Sequence, residues 1–179
     1  MGKLVFITGA SSGIGQALAW RYYQAGWSLA LVARRTQEIE RWAAAQGLAA
    51  GRFAVYGADV AQPDSVIAAA HSCLATQGLP DAVIANAGIS IGVDTAHRSD
   101  LDAMTETFAV NNVGMAATFH PFISAMVARG TGALVGIGSV AGIRGLPGHG
   151  AYCASKAAVI SYCESLRGEL QPSGIKVVT

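Results

Sequence analysis

Short apolar runs alternate along the chain with longer stretches that mix apolar and polar positions. Runs such as LVFIT and DAVIAN are typical of strands, and the longer amphipathic stretches between them are typical of helices. The pattern predicts strands at residues 4–8, 27–33, 52–56, 81–86, 132–137 and 175–179. It predicts helices at residues 13–25, 37–46, 63–77, 99–129 and 152–170, the fourth of them disturbed at Pro121.

The predicted strands are continuous apolar runs, and such strands are buried on both faces. Regular alternation of strand and helix implies right-handed crossovers and a parallel sheet with helices on both sides. The sequence therefore predicts an α/β, doubly wound fold, with residues 1–179 as a single domain. The last predicted strand has barely begun at Thr179, so we expect this domain to be incomplete at its C-terminus.

Composition excludes several classes of protein. Hydrophobic residues make up 52% of the chain and charged residues 13%, which argues against disorder. The net charge is +1, and no basic run is longer than Arg34-Arg35, which argues against nucleic-acid binding. No apolar run approaches the ~18 residues of a membrane span. The three cysteines lack metal-ligand spacing, so we expect no metal site and a reducing, cytoplasmic location.

The stretch TGASSGIG, after the first strand, matches two motifs with different chemistries. Gly9-Ala10-Ser11-Ser12-Gly13 fits the G-x-S-x-G elbow that carries the nucleophile of serine hydrolases. Gly9, Gly13 and Gly15 fit a glycine-rich turn in which a phosphate approaches the backbone and the N-terminus of a helix. The same spacing also fits a turn whose glycines only allow tight packing of strand and helix.

The phosphate turn is the better interpretation. The histidines His97, His120 and His149 lie in no motif that would make one of them a triad partner, and the elbow leaves Gly15 unexplained. We therefore expect the three glycines to make room for a phosphate at the free N–H groups of the following helix. The predicted contacts of this turn are Gly9, Ser11, Ser12, Gly13, Ile14 and Gly15.

Four further motifs follow in order along the chain. Asn86-Ala87-Gly88 closes the fourth strand, and Asn111 lies in VNNVG within the fourth predicted helix. Ser139 lies in GSVAG after the fifth strand, and Tyr152-Cys153-Ala154-Ser155-Lys156 opens the last helix. Together with TGASSGIG, these motifs resemble the short-chain dehydrogenase/reductase family over essentially the whole chain.

The resemblance implies a Rossmann-type fold and an oxidoreductase that acts on a small-molecule carbonyl or alcohol. It implies that Lys156 holds the nicotinamide ribose and that Asn111 holds a water that relays protons. The catalytic set that it implies is Asn111, Ser139, Tyr152 and Lys156. The further cofactor contacts that it implies are Asp59, Val60, Asn86, Ala87, Gly88, Tyr152 and Lys156.

The residue types support this chemistry independently. Tyr152 and Lys156 are four residues apart, so they project from one face of a helix. A neighbouring ammonium favours the ionised form of a phenol, which suits Tyr152 to exchange a proton while a hydride moves. Ser139 can donate a hydrogen bond to the same substrate oxygen. On an isolated helix, the same Tyr–Lys spacing would be an ordinary solvated surface pair.

Cofactor choice depends on the end of the second strand. An NAD site of this type usually has an acidic residue there, but this strand ends Val32-Ala33-Arg34-Arg35. A guanidinium can bind the 2′-phosphate of NADP(H) with two hydrogen bonds, so we predict NADP(H) over NAD(H), with Arg34 favoured over Arg35. The alternative is that both arginines are solvated surface charges.

The family resemblance also implies a homodimer or homotetramer, formed through the helices near 99–129 and 152–170. The apolar residues expected to serve both core and interface are Val110, Met115, Phe119, Phe122, Val159, Tyr162 and Leu166. The family's last strand and substrate-covering segment are missing from the sequence. The alternative function is therefore a non-catalytic dinucleotide-binding or regulatory protein that retains the fold.

Overall fold

Six parallel strands form one sheet in the computed structural model, which describes residues 2–179. The strands are β1 (Leu4–Thr8), β2 (Ser28–Ala33), β3 (Phe53–Gly57), β4 (Ala82–Ala85), β5 (Gly132–Gly136) and β6 (Ile175–Val178). Their order in the sheet is β3-β2-β1-β4-β5-β6. All six predicted strands are confirmed, as is the doubly wound arrangement.

The order of the strands reverses at β1. Ile7 in β1 pairs with Leu31 of β2 on one side and with Ile84 of β4 on the other. The loops after β1 and β4 therefore leave the sheet in opposite directions and open a crevice at its carboxyl edge. Ligands of doubly wound proteins bind at such a point.

Helices cover both faces of the sheet. They are α1 (Gly13–Gln24), α2 (Thr36–Ala45), α3 (Pro63–Thr76), α4 (Asp100–Phe108), α5 (Gly114–Arg129) and α6 (Gly150–Leu170). Val5 and Ile7 of β1 pack with α1 and α2, whereas Leu4 and Phe6 pack with α3, α5 and α6. No helix among residues 2–179 is long and apolar enough to cross a bilayer.

Burial on both faces holds for only part of the sheet. Every residue of β1 and β4 is buried, but β6 alternates, with Ile175 and Val177 buried and Lys176 and Val178 exposed. The reason is that α1 and α2 pack over β1, β2 and β3 and leave the same face of β6 open. The prediction of burial on both faces is thus wrong for β6, and it is also wrong for the other edge strand, β3, in which no residue is fully buried.

The long fourth helix differs from its prediction. Helix α5 continues through Pro121, and the departure from α-helical geometry is a π-helical turn at Ala109–Val113, between α4 and α5. Phe119 and Phe122 are fully buried on either side of Pro121, so packing compensates for the hydrogen bond that proline cannot donate. The π-helical turn contains Asn111, and such turns are frequent at functional sites.

The three cysteines are free thiols and lie inside the protein. Cys73, Cys153 and Cys163 are all buried, and none is paired. Burial raises the pKa of the Cys73 thiol to about 12, which makes it a poor nucleophile.

Candidate active site

A cleft of about 490 Å³ opens where the strand order reverses. The predicted residues that line it are Gly9, Ser11, Ser12, Gly13, Ile14, Arg34, Arg35, Asp59, Val60, Asn86, Ala87 and Gly88. Sequence reasoning missed Val32, Ala33, Ala58, Ala61, Ile89, Glu106 and Val110, which also line it. These seven are ordinary strand, loop or helix residues, and only the fold brings them to the cleft.

The three glycines of the turn have different surroundings. Gly9 has φ +69°, and a Cβ there would lie 2.8 Å from the Cα of Ala87. A Cβ on Gly15 would collide with the carbonyl oxygen of Gly9, and Gly15 does not line the cleft. Gly13 has φ +54°, and nothing lies within 4 Å of its Cβ position. Gly9 and Gly15 therefore allow close packing, and Gly13 leaves space on the cleft side.

The N-terminus of α1 faces this space with free donors. Its N-cap, Ser12, has an extended backbone and makes no side-chain cap, and the first turn of α1 carries no acidic residue. The first N–H groups of a helix have no partner within it, and the helix dipole favours an anion there. This end of α1 suits a phosphate group.

Ser11 lacks the partner of a nucleophile. Among residues 2–179, the only side chain bonded to its hydroxyl is Arg35, with Nη2 3.5 Å from Oγ. A guanidinium cannot act as a general base. These contacts argue against the hydrolase interpretation.

Asn86 and Thr8 join the ends of β4 and β1. The Asn86 Nδ2 donates to the Thr8 carbonyl at 3.0 Å and to the Gly9 carbonyl at 3.3 Å. The Thr8 hydroxyl accepts from the backbone N–H groups of Asn86 and Ala87, each at 3.2 Å. Thr8 is 1% exposed, and sequence reasoning missed it; its position between strand and glycine turn was the available signal.

Arginines border the cleft at the end of β2. Arg34 lies 3.7 Å from a carboxylate oxygen of Asp59, and its side chain is 70% exposed. Arg35 reaches across to Ser11 in the glycine turn. Both guanidinium groups therefore lie at one end of the cleft, where the second strand ends without an acidic residue.

Lys156 is buried in α6 and fixed at its ammonium group. Its Nζ donates to the carbonyl of Ile137 at 2.7 Å and lies 5.8 Å from the centre of the Tyr152 ring. Burial lowers the pKa of Lys156 below its ordinary value. A Cβ on Gly88 would lie 3.6 Å from the Nζ, so the loop after β4 brings the cleft next to this lysine.

The side chain of Asn111 is held on three sides. Its Oδ1 accepts from the N–H of Ile89 at 2.8 Å, and its Nδ2 donates to the Ile89 carbonyl and to the Ser155 hydroxyl, each at 2.9 Å. Asn111 thus ties the loop after β4 to α6. Its predicted role in holding a water stays a prediction.

Ser139 begins the short 3-10 turn Val140–Gly142 that follows β5 and its loop. Its Oγ accepts from the N–H of Ala141 at 3.1 Å, which leaves the hydroxyl hydrogen free to donate. Gly142 packs on the backbone of Lys156, where a Cβ would lie 2.8 Å from the carbonyl. Ser139 also lines a second, open cavity of about 470 Å³ with Gly138, Ile160 and Thr179.

The loops after β4 and β5 meet at Gly148 and His149, shortly before Tyr152 in sequence. The N–H of Val93 donates to the Gly148 carbonyl at 2.8 Å, and the Ser90 hydroxyl lies 3.5 Å from Nδ1 of His149. The segment between Ser139 and Tyr152 thus reaches the loop that follows Gly88.

The arrangement of these motifs agrees with comparisons to known proteins. The sequence model of the short chain dehydrogenases matches residues 3–179. The chain belongs to the short-chain dehydrogenase family. This confirms the resemblance that the motifs indicated.

Relatives within the family are longer than this chain. A "Dehydrogenase/reductase SDR family protein 7-like" of Drosophila melanogaster is 38% identical, and the match covers 98% of this chain and 55% of the relative. A second protein of that name, from Anopheles gambiae, is 36% identical, with 98% and 57% covered. The chain spans a little over half the length of these relatives.

Solved structures of the family share the fold. A metagenomic short-chain oxidoreductase in complex with NADP matches with a TM-score of 0.91 and 28% identity, covering 99% of this chain and 79% of that one. A Burkholderia phymatum short chain dehydrogenase/reductase in complex with NAD also has a TM-score of 0.91, with 30% identity and coverage of 99% and 64%.

Proposed function

We propose that this short-chain dehydrogenase is an NADP(H)-dependent oxidoreductase that interconverts a carbonyl compound and a secondary alcohol, with Tyr152 as general acid and base. The observation that carries the proposal is the pairing on α6. Lys156 is buried, its Nζ is anchored to the Ile137 carbonyl, and it lies 5.8 Å from the Tyr152 ring. A fixed ammonium beside a half-buried phenol suits proton transfer.

The cleft fits a dinucleotide. Space at Gly13, free N–H groups at the start of α1 and two guanidinium groups at the end of β2 are suited to phosphate groups. Gly9, Asn86, Ala87 and Gly88 give it a tightly packed floor. When bound, the nicotinamide would supply or accept the hydride.

The residues of the chain supply the proton and the orientation. In the reducing direction, the Tyr152 hydroxyl donates a proton to the carbonyl oxygen, and Ser139 donates a hydrogen bond to the same oxygen. Lys156 stabilises the phenolate that Tyr152 leaves. The side chain of Asn111 fixes the position of the loop at Ile89 relative to α6.

A preference for NADP(H) is part of the proposal. Arg34 and Arg35 both border the cleft, and Ala33 ends β2 where an NAD site would place an acidic residue. Relatives do not decide the point, because family structures in complex with NADP and with NAD match equally well.

We also propose that the protein is a homodimer or homotetramer, through a set of residues that shares only Tyr162 with the one that the sequence suggested. Val110, Met115, Phe119, Phe122, Val159 and Leu166 are all buried within the chain. Exposed apolar side chains remain on the same helices: Leu101, Met104, Val113 and Tyr162 are 50%, 42%, 51% and 41% exposed. We call these four the α4–α6 face; they support self-association.

Residues 1–179 are proposed to act as one dinucleotide-binding domain with a cytoplasmic location. Three free, buried cysteines support a reducing compartment. Small-molecule carbonyl compounds or alcohols are the proposed substrates.

The test uses the full-length protein, NADPH and a panel of aldehydes and ketones. We expect NADPH oxidation by the wild type and a loss of roughly 10²–10⁴-fold in Tyr152→Phe, with NADPH binding retained. Tyr22→Phe, on α1 and outside the cleft, is the matched control and should keep full activity. NADPH binding without turnover in the wild type would favour the non-catalytic alternative.

A further inference from the structure

Ser155 lies between the catalytic helix and the π-helical turn. It is fully buried in α6, next to Lys156 in sequence and one turn after Tyr152. Its hydroxyl lies 2.7 Å from the Tyr152 carbonyl oxygen and 2.9 Å from Nδ2 of Asn111. One hydroxyl therefore contacts the first turn of α6 and a residue of another element.

The directions of these hydrogen bonds follow from Ile89. Its backbone N–H and carbonyl both face the Asn111 amide, so Oδ1 must lie toward the N–H and Nδ2 toward the carbonyl. The second Nδ2 hydrogen then points at Ser155, which must accept it. The hydroxyl hydrogen of Ser155 is left for the Tyr152 carbonyl.

A second bond reinforces the link. Asn112, the next residue of the π-helical turn, donates from Nδ2 to the backbone carbonyl of Ser155 at 2.9 Å. Two successive side chains of the turn Ala109–Val113 thus hold the side chain and the backbone of one residue of α6. The π-helical turn therefore orients the side chains of both Asn111 and Asn112 toward Ser155.

We propose that Ser155 is a positioning residue for the oxidoreductase reaction. Asn111 fixes Ser155 relative to the loop after β4. Ser155 in turn fixes the first turn of α6, which carries Tyr152. The Tyr152 hydroxyl is then held at a fixed position relative to Gly88 and the cleft, where it can reach the carbonyl oxygen of the substrate. The proposal rests on the proposed function for its catalytic consequence, but the link itself exists in the protein without substrate.

Thr118 provides a matched control. It is also fully buried on a helix, and its hydroxyl donates to the carbonyl of Gly114, one turn earlier, at 2.7 Å. Unlike that of Ser155, its hydroxyl has no bond from another element in the part of the chain that the structure describes. Thr118→Val therefore measures the effect of removing a buried hydroxyl that bonds only within its own helix.

The first measurement is a double-mutant cycle in the full-length protein without cofactor. Urea unfolding of wild type, Ser155→Ala, Asn111→Ala and the double variant gives the coupling between the two side chains. We expect Ser155→Ala to shift the unfolding midpoint in the wild-type background and to add little to Asn111→Ala. Additive shifts would show that the two residues act independently and would overturn the link.

The second measurement separates kcat from cofactor binding, with NADPH and the most active ketone or aldehyde of the panel. We expect Ser155→Ala to lower kcat by roughly ten- to a hundredfold through misplacement of Tyr152. The Kd for NADPH should change by less than about threefold, as should kcat in Thr118→Val. Ser155→Cys, whose thiol is a weak acceptor, should have an intermediate kcat and replaces Ser155→Ala if that variant fails to fold.

The outcomes distinguish this inference from the proposed function. A wild type that turns over, with Tyr152→Phe inactive and the Ser155 variants at the wild-type kcat, overturns the positioning role alone. A wild type without turnover on the whole panel overturns the proposed function and with it the catalytic role of Ser155. The unfolding cycle still decides whether the link between Ser155 and Asn111 exists.

Discussion

Gly9, Gly13 and Gly15 belong to one motif but lie in different surroundings. Gly15 faces the Gly9 carbonyl inside the protein, whereas Gly13 has a positive φ and an open Cβ position on the cleft side. The sequence treats the three alike, because spacing alone does not say which glycine faces a neighbouring strand and which faces a ligand.

Alanine at two of these positions should separate packing from binding. Gly15→Ala forces a Cβ against a backbone carbonyl and should lower the free energy of unfolding by about 1–3 kcal/mol. Gly13→Ala should cost roughly 1–2 kcal/mol from its left-handed backbone and should weaken NADPH binding more than its stability loss explains. Urea unfolding and NADPH fluorescence titration measure both. Weakening of NADPH binding by Gly15→Ala as large as that by Gly13→Ala would contradict the assignment.

Lys156 makes the free energy of unfolding depend on pH in the alkaline range. Burial lowers its pKa in the folded protein, so between that pKa and the ordinary lysine value the unfolded chain binds more protons. The free energy of unfolding of the wild type, minus that of Lys156→Met, should therefore rise with pH through this window. Urea unfolding from neutral to alkaline pH measures the difference; a difference that falls with pH would refute the assignment.

At the scale of elements, the sequence predicts regular structure better than it predicts exceptions. The six strands were predictable because each is a compact apolar run between turn residues. The open face of β6 was not, since Lys176-Val177-Val178 resembles any buried run until the reach of α1 and α2 is known. The π-helical turn at Asn111 was also not predicted, because Pro121 is the strongest irregularity signal in that helix, whereas Asn111 and Gly114 are only weak helix formers.

Site residues divide in the same way. Motif order was enough to predict the residues of the glycine turn, Ser139, Tyr152 and Lys156 as site residues, and that assignment stays a prediction. Thr8 and Ser155 needed coordinates, because a hydroxyl reveals its function only through the partners that the fold brings to it.

The end of β2 should determine cofactor choice. Arg34→Ala and Arg35→Ala each remove a cation from the cleft and should raise KM for NADPH by roughly 10–100-fold, with little change for NADH. Arg21→Ala, on α1 and outside the cleft, removes the same charge and should leave both constants unchanged. Initial rates with each cofactor measure this; a wild type that prefers NADH would contradict the assignment of these arginines.

At the scale of the whole molecule, the two faces of the sheet differ. One face is covered by α1 and α2. The other is covered by α3, α5 and α6, whose core side chains are buried within the chain itself. The exposed large apolar side chains in this part of the chain include those of the α4–α6 face. Burial of such a face against its own copy would remove apolar surface from water.

A charge placed on this face should prevent assembly. Met104→Arg is expected to convert a dimer or tetramer to single chains, because an unpaired cation would be buried at the interface. Gln24→Arg, on the opposite face of the sheet, adds the same charge and should leave the assembly intact. Light scattering after size-exclusion chromatography gives the masses. A wild type that is monomeric, or a Met104→Arg variant that remains assembled, would exclude this interface.

The most direct test of the account follows the hydride itself. Full-length protein is supplied with NADPH deuterated at the transferable position, together with a ketone that it turns over, and the product alcohol is analysed by mass spectrometry. We expect deuterium on the carbinol carbon with the wild type and almost none with Tyr152→Phe, although both bind NADPH. A product without deuterium, or equal label transfer by Tyr152→Phe, would contradict it.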